Sequence, residues 1–285
     1  MEITWREPDD SLRVLLLAAR EADGTPDVEA DGPLPREFRG GRHLLARDGD
    51  ALVGYAHVDT AGDAFGNQIV ELVVHPAHRG KGIGAALVDE VLKIDSPLRL
   101  WSHRDHPAAA HIAEKRGLAR VRELLLMRLD NSVELPEPRW RDGVRVRTFV
   151  PGQDEAAMVA VNKSAFDWHP EQGLLTVADV EATEGESWFD PAGFFLAVDE
   201  DDTVLGFHWT KVHGDNTGEV YVVGVDPAAQ GGGLGTALTL VGLHHLRARG
   251  TRETILYVES DNRPAVTVYA RLGFTLAYTN VAYQR

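Results

Sequence analysis

Two glycine-rich segments contain the residues whose types and spacing most directly suggest chemistry. Residues 79–84 are Arg-Gly-Lys-Gly-Ile-Gly, and residues 230–235 are Gln-Gly-Gly-Gly-Leu-Gly. Each follows an apolar run typical of a β-strand and precedes an apolar stretch typical of a helix. Glycine lets the backbone approach a ligand closely, and a helix N-terminus favours negative charge. The two segments therefore predict cradles for the pyrophosphate of a cofactor.

Taken alone, either segment is also consistent with a tight connection between a strand and a helix. Neither is a P-loop, because no Lys-Ser or Lys-Thr pair follows the last glycine. The glycine spacing also differs from that of a dinucleotide-binding turn. What the cradles bind must therefore be inferred from the surrounding sequence.

The sequence around the two segments is a long internal repeat. The segments lie 151 residues apart (230 − 79 = 151). Three further pairs of segments resemble each other in the same order, namely 52–57 with 204–209, 74–76 with 225–227, and 115–118 with 271–274. Matched landmarks in one order, at a period this long, indicate a duplicated domain rather than a short-period solenoid.

The boundary between the copies falls within residues 131–142, where Leu-Pro-Glu-Pro-Arg predicts a stiff, polar linker. We expect an N-terminal domain over residues 1–133 and a C-terminal domain over residues 140–285. In each copy the patterns predict a strand, helices, a strand pair, another strand, the glycine turn, a helix, a strand, a helix and closing strands. This order predicts a mixed α/β fold in which helices flank a sheet.

Composition excludes several classes of function. The 285 residues carry a formal net charge of −15, which argues against a nucleic-acid partner. The absence of cysteine excludes disulfides, thiolate metal sites and a cysteine nucleophile, and the histidines show no zinc-site spacing. Residues 1–6 do not resemble a signal peptide, and no apolar run reaches the length of a membrane span. We expect a cytoplasmic, monomeric protein without a metal.

The two glycine segments resemble the acetyl-CoA-binding motif of the GNAT acyltransferase superfamily. Residues 223–225 and 230–236 resemble its cofactor-contacting strand and loop, and residues 257–274 resemble its second cofactor element. The resemblance covers nearly the whole chain and implies two tandem GNAT-type domains that use acetyl-CoA as the acetyl donor. The implied cofactor-binding residues are Leu72, Val73, Val74, Gly80, Lys81, Gly82, Ile83, Gly84, Ala85, Val223, Gly224, Val225, Gln230, Gly231, Gly232, Gly233, Leu234, Gly235, Thr236, Asn262, Arg263, Pro264, Ala265, Val266 and Thr267.

Four stretches narrow this resemblance, namely residues 169–172, 207–211, 218–221 and 256–262. They are similar to the branch of the superfamily that acetylates the cysteinyl amine of a cysteine–glucosamine–inositol conjugate, which is a small molecule. The substrate contacts that the resemblance implies are Glu37 in the first copy and Glu171, Lys211, Glu219 and Tyr257 in the second. Without the resemblance, Lys211 and Glu171 fit solvent-exposed positions.

In this superfamily the amine attacks the thioester directly, so two proton transfers remain for the protein. We expect Glu219 to be the general base, acting through water, and Tyr269 to be the general acid. The alternatives are a solvent-facing carboxylate and a core aromatic. At the matched positions the first copy has Gln68 and Ala113, which can do neither task. The C-terminal copy is therefore expected to catalyse, and the N-terminal copy to be structural or to bind CoA without turnover.

Two other functions fit the same motifs. The acceptor could be another amine, such as a protein N-terminus, a polyamine or an aminoglycoside. The chain could also be a CoA-binding regulatory module without turnover. A protein-tail enzyme predicts an open groove, whereas the presence of both Glu219 and Tyr269 argues against a regulatory module.

Overall fold

The computed structural model describes residues 1–26, 28–169 and 172–285. The chain folds into two compact units: unit 1 is Met1–Glu123 with Thr279–Arg285, and unit 2 is Leu124–Tyr278. Each unit therefore takes one strand from the other half of the sequence repeat, and the division at residues 133 and 140 stays a prediction about the repeat. Among the helices of the described residues, none combines the length and the apolar character needed to cross a membrane.

Unit 1 has a six-stranded mixed sheet in the order β1-β2-β3-β4-β5-β12. Its strands are β1 (Glu2–Trp5), β2 (Arg42–Asp48), β3 (Ala51–Asp59), β4 (Gln68–Val74), β5 (Leu98–Ser102) and the end of β12 (Thr275–Gln284). Its helices are α1 (Ser11–Asp23), α2 (Ile83–Val91) and α3 (Pro107–Lys115). Only β4 and β5 are parallel; the other neighbours are antiparallel.

Unit 2 repeats this arrangement with the order β6-β11-β10-β9-β8-β7. Its strands are β6 (Ala119–Asp130), β7 (Arg145–Thr148), β8 (Phe194–Val198), β9 (Val204–Val212), β10 (Gly218–Val225) and β11 (Glu253–Glu259). Its helices are α4 (Glu155–Ala165), α5 (Val177–Glu184), α6 (Leu234–Ala248) and α7 (Arg263–Arg271). The predicted mixed α/β fold is confirmed.

Each sheet is buried on both faces, which fixes the direction in which the strand residues point. In unit 2, Leu240 of α6 packs against Val220 on one face. Met158 of α4 belongs to the cluster of Phe207 and Trp209 on the other face. Burying one such side chain stabilises the fold by about 1.5–3 kcal/mol. Because successive residues of a strand alternate between faces, Glu219 lies on the α4 face, opposite to Val220.

The parallel strands separate in both units just before the glycine turn. β4 and β5 pair only from Gln68↔Leu98 to Val70↔Leu100. β10 and β11 pair only from Gly218↔Thr254 to Val220↔Leu256. Beyond these pairs, residues 71–74 and 222–225 form ladder pairs with a single neighbouring strand among the described residues. Backbone N–H and C=O groups require hydrogen-bond partners, so each gap is suited to a ligand.

The strand registers show how the two units correspond. The pairing of β2 with β3 shifts register next to Gly54, and the pairing of β8 with β9 shifts register next to Gly206. These two glycines therefore occupy equivalent positions in the two units. β9–β10 has a further shift at residue 221, which β3–β4 lacks. The match of Glu219 with Gln68 is therefore wrong by one residue: Glu219 pairs with Lys211, and the equivalent pair in unit 1 is Ile69 with Asp59.

Candidate active site

The glycine turn of unit 2 begins helix α6. Gly231, Gly232 and Gly233 all have positive φ angles (92°, 60° and 81°), a conformation that residues with a side chain rarely adopt. Gly233 is the N-cap of α6. Gln230 Nε2 donates to the carbonyl of Val225 over 3.4 Å, which ties the turn to the end of β10. The first N–H groups of α6 therefore point toward the turn, where the helix dipole favours an anion.

The turn of unit 1 has the same construction. Gly80 and Gly82 have φ angles of 74° and 80°, and Gly82 is the N-cap of α2. Arg79 Nε donates to the carbonyl of Val74 over 3.2 Å, as Gln230 does in unit 2. The Arg79 guanidinium also donates two hydrogen bonds to Asp23, and these lower the pKa of that carboxyl. Both turns can thus receive a pyrophosphate, and in unit 1 the arginine charge is already partnered.

A cavity of about 400 Å³ opens in unit 2 between the end of β10 and the start of α7. The predicted cofactor-binding residues that line it are Val223, Gly224, Val225, Gln230, Asn262 and Pro264. Residues 231–236 and the predicted residues 263 and 265–267 are not in its lining. A Cβ atom on Gly224 would lie 2.6 Å from the Phe207 ring and 3.2 Å from the Phe166 ring, so these rings lie directly against the strand.

Glu219 is buried with an imidazole partner. The residue is 7% exposed, and its Oε2 lies 2.7 Å from His213 Nε2. Its ladder partner on β9 is Lys211, whose Nζ lies 4.7 Å from the ring centroid of Trp188 and 5.6 Å from that of Tyr221. A buried carboxylate with a hydrogen-bonded histidine is an arrangement that can accept a proton and pass it to solvent.

Tyr257 lies on the strand next to Glu219. The β10–β11 register places Ile255 beside Glu219, and Tyr257 is two residues further along, so both tyrosine and glutamate lie on the α4 face. Tyr257 is 44% exposed, unlike its buried neighbours Leu256 and Val258. Lys211, Glu219 and Tyr257 thus lie on adjacent strands of one face.

Tyr269 lies on α7, where its ring packs against Phe274 at a centroid distance of 5.8 Å. It belongs to the cluster that includes Val223 of the strand edge. Burial raises the pKa of Tyr269 to about 12, because desolvation disfavours the phenolate. The hydroxyl is therefore protonated at neutral pH. Helix α3 of unit 1 places Ala113 at the matching position, so no phenol is offered there.

Neither Glu219 nor Tyr269 lines the unit 2 cavity. Glu219 lies four residues before Val223 on β10, and Tyr269 lies in the second turn of α7. Glu171 lies outside the described residues. Glu37 is in a single helical turn of unit 1, where its charge contributes to raising the pKa of His103.

Sequence reasoning missed two histidine–carboxylate pairs. His213 follows β9 in a turn of sequence His-Gly-Asp-Asn, which predicts only a hairpin. In unit 1, Glu71 Oε2 lies 2.8 Å from His103 Nε2. A glutamate inside the apolar run Ile-Val-Glu-Leu-Val was a usable signal, because a buried carboxylate in a strand is rare without a partner.

The Glu71–His103 pair lines a cavity of about 550 Å³ in unit 1. This cavity follows the gap between β4 and β5 and reaches the glycine turn. The predicted cofactor-binding residues that line it are Leu72, Val73, Val74, Gly80, Gly82, Ile83, Gly84 and Ala85, whereas Lys81 does not line it.

Both units match family models of known acetyltransferases. Residues 161–274 match the model of the acetyltransferase (GNAT) family, and residues 39–117 match that of an acetyltransferase (GNAT) domain. Among solved structures, a GCN5-related N-acetyltransferase from Sphaerobacter thermophilus is 25% identical, with a TM-score of 0.74 over 99% of this chain and 95% of its own. A tandem GNAT protein from the clavulanic acid biosynthesis pathway has the same fold, with 20% identity, a TM-score of 0.70 and coverage of 99% and 98%.

Curated relatives are more similar. The mycothiol acetyltransferase of Saccharomonospora viridis is 59% identical over 96% of this chain and 94% of its own length. The mycothiol acetyltransferase of Amycolatopsis mediterranei is 57% identical over 99% and 98%. With two GNAT domains in tandem and relatives this similar over nearly its full length, the chain belongs to the mycothiol acetyltransferase family of GNAT acetyltransferases.

Proposed function

We propose that the protein transfers the acetyl group of acetyl-CoA to the free cysteinyl amine of cysteinyl-glucosaminyl-inositol, and that unit 2 catalyses this reaction. The observation that carries the proposal is the position of Glu219. It is a buried carboxylate on the strand that leads into the glycine turn, with His213 within hydrogen-bond distance. The identity to mycothiol acetyltransferases supports the choice of acceptor.

The residues of unit 2 fit acetyl-CoA. The thioester of acetyl-CoA supplies an activated acetyl group. The glycine turn and the N-terminus of α6 would hold the pyrophosphate, and Asn262 and Pro264 at the start of α7 would contact the pantetheine arm. Successive N–H groups of a strand point to alternate sides, so part of the backbone N–H groups of residues 223–225 faces the gap between β10 and β11, where they can donate to an oxygen that develops negative charge.

Glu219 serves as the general base in this proposal. A free α-amine has a pKa of about 7.7–8, so a carboxylate that acts through water is basic enough to take the proton as the nitrogen attacks. His213 holds the carboxylate by its Nε2 and gives the proton a route outward, since the His213 side chain is 26% exposed. We therefore add His213 to the site as a positioning residue.

Tyr269 serves as the general acid. Its hydroxyl carries a proton at neutral pH and would donate it toward the leaving sulfur. Burial raises the pKa of any acid whose charged form is an anion, so the apolar surroundings affect the phenol and the thiol in the same direction.

The acceptor has many hydroxyls and one cation, and it would be held by groups of the α4 face. Lys211 and Tyr257 can hydrogen-bond hydroxyls, and the Glu219 carboxylate can attract the ammonium. Glu171 and Glu37 remain proposed contacts on the basis of family resemblance.

An acceptor screen tests the proposal. The purified protein would be incubated with acetyl-CoA and, separately, cysteinyl-glucosaminyl-inositol, a polyamine, an aminoglycoside and a peptide with a free N-terminus, while released CoA is measured. We expect the conjugate to give a kcat/KM far above that of the other amines. The Glu219→Gln variant should reduce this activity about 100-fold at pH 6.5. Glu200→Gln, which changes an exposed carboxylate in the turn after β8, serves as the matched control. Absence of CoA release with the conjugate would overturn the assignment.

A further inference from the structure

The ammonium of Lys211 lies against aromatic rings rather than against a carboxylate. Its Nζ is 4.7 Å from the ring centroid of Trp188 and 5.6 Å from that of Tyr221. No carboxylate oxygen of the described residues lies within ion-pair distance of this nitrogen. The negative face of an aromatic ring attracts a cation, so the two rings determine where the charge of Lys211 lies.

An ion pair with Glu219 is the alternative that the sheet offers to Lys211. The two residues are ladder partners on β9 and β10, and the Cβ atoms of directly opposed residues are about 5 Å apart. A lysine side chain can span this distance. In the structure, however, Glu219 Oε2 is 2.7 Å from His213 Nε2, and the ammonium is at the rings. The carboxylate and the ammonium therefore have separate partners.

Tyr221 reaches this position through a bulge in β10. The pairing of β10 with β9 shifts register between Val220 and Val222, so Tyr221 is the extra residue of the bulge. Val222 packs in the core on the α4 face, and the Tyr221 ring lies 5.4 Å from that of Trp209 on the same face. Bulges often re-aim a side chain next to an active site. The bulge of β10 thus places the Tyr221 ring beside Lys211.

Trp188 is anchored on the core of unit 2. Its ring lies 5.1 Å from that of Tyr221 and 5.9 Å from that of Trp209. Trp209 is 1% exposed and stacks on Phe194 at a centroid distance of 4.6 Å. Because protein interiors are close-packed, a ring that rests on this core has little freedom to move. Trp188 therefore offers Lys211 a fixed aromatic face.

The separation of the two charges matters for both tasks proposed on the α4 face. An ammonium that pairs with Glu219 would stabilise the charged carboxylate and make it a weaker base. The same ion pair would occupy the N–H donors with which Lys211 can bind acceptor hydroxyls. It would also cancel the negative charge that attracts the cationic amine.

We propose that Trp188 and Tyr221 are positioning residues for the acetyl transfer. Their rings hold the Lys211 ammonium in place for the acceptor and keep it from pairing with Glu219. Both rings act through Lys211 and not on the reacting atoms. This inference rests on the proposed function, because it assigns the two rings a task in the same site.

The test compares Trp188→Leu with a double variant that adds Lys211→Met, each as the full-length protein with acetyl-CoA and cysteinyl-glucosaminyl-inositol. Without the indole, the ammonium is expected to pair with Glu219, so kcat should fall about 10-fold and KM should rise. Adding Lys211→Met removes that ammonium, so kcat should return to within about threefold of the parent while KM stays high. Purely structural damage at Trp188 would not be repaired by a second substitution.

Two further variants serve as controls. Trp188→Phe keeps an aromatic face and should stay within about threefold of the parent in kcat and KM. Trp5 also holds a cation, because the Arg42 guanidinium lies 4.3 Å from its ring centroid, but this pair is in unit 1. Trp5→Leu should therefore leave kcat and KM unchanged. If Trp188→Leu does not fold, Tyr221→Leu replaces it with the same expectation, because Tyr221 is 39% exposed.

Two results would overturn the inference. One is a kcat of Trp188→Leu equal to that of the parent, and the other is a kcat of Trp188→Leu that the added Lys211→Met does not raise. Failure of the proposed function gives a different result, because the parent protein itself would then release no CoA with the conjugate.

Discussion

Replacing Glu219 by glutamine removes the proton acceptor of unit 2 while leaving nearly the same shape. The glutamine oxygen can still accept the hydrogen bond from His213 Nε2, which spans 2.7 Å in the parent protein. We therefore expect little change in the free energy of unfolding, with a melting temperature within about 2 °C of the parent. The defect should be chemical rather than structural.

The size of the defect follows from the position of Glu219. Positioned general bases contribute about 10²–10⁴ in rate, and a base that acts through water belongs at the low end. We expect kcat/KM for the conjugate to fall about 100-fold at pH 6.5, which is about 2.7 kcal/mol of transition-state stabilisation.

The pH dependence distinguishes a base from a binding group. With an amine pKa of about 7.8, about 5% of the amine is neutral at pH 6.5 and nearly all at pH 9.5. At pH 9.5 the variant needs no base to form the free amine, so the defect should shrink about 20-fold, to about fivefold. Initial rates of CoA release between pH 6 and 9.5 would measure this, with Glu200→Gln as the control. A defect that is equal at all pH values, or no defect at pH 6.5, would refute the role of Glu219 as base.

Three further predictions concern the acid, the cradles and a buried histidine. Tyr269→Phe keeps the ring packing against Phe274 but removes the proton, so kcat should fall about 10- to 100-fold with little change in KM; an unchanged kcat would remove Tyr269 from the acid role. Gly233→Val forces a β-branched residue to φ 81°, and Gly82→Val forces one to φ 80°. Both variants should reduce the acetyl-CoA stoichiometry measured by calorimetry, but Gly233→Val should reduce turnover of the conjugate far more than Gly82→Val. Equal losses of turnover would contradict catalysis by unit 2. Burial lowers the pKa of His208 from 6.5 to about 4, so His208 becomes protonated in the unfolded state at a higher pH than in the folded state. The stability that the neutral ring confers is therefore complete above pH 6.5 and is lost as the pH falls toward 4. Urea unfolding at pH 7 and pH 5 should show that His208→Gln reduces the pH-dependent loss by about 2 kcal/mol, and an identical loss in the parent and the variant would contradict this.

The repeat in the sequence predicts much of the fold. Matched glycine turns and the β-type runs before them indicate two similar α/β units, because backbone conformation at Gly82 and Gly233 requires glycine. The sequence does not predict that each unit takes one strand from the other half of the repeat. Residues 121–129 alternate as a strand should, but alternation does not reveal that their neighbour is β11 rather than a strand of unit 1.

Site residues that belong to a sequence motif could be predicted, whereas residues brought together by strand register or by tertiary contacts could not. Val223, Gly224 and Gln230 follow from the glycine segment, and the structure brings them into one cavity. A constant offset of 151 residues does not reveal the bulge at residue 221, so it pairs Glu219 with Gln68 instead of Ile69. The pairing of Glu71 with His103 joins residues 32 positions apart, and no local pattern contains that contact.

One labelling measurement tests the proposed reaction most directly. The protein would be mixed with acetyl-CoA carrying ¹³C in the acetyl carbonyl and with equal amounts of cysteinyl-glucosaminyl-inositol and a competing peptide amine, and the products would be identified by NMR. The proposal predicts a ¹³C amide on the cysteinyl nitrogen of the conjugate, formed in the parent protein and suppressed in Glu219→Gln at pH 6.5. Label on the peptide instead, or an equal yield from Glu219→Gln at that pH, would contradict it.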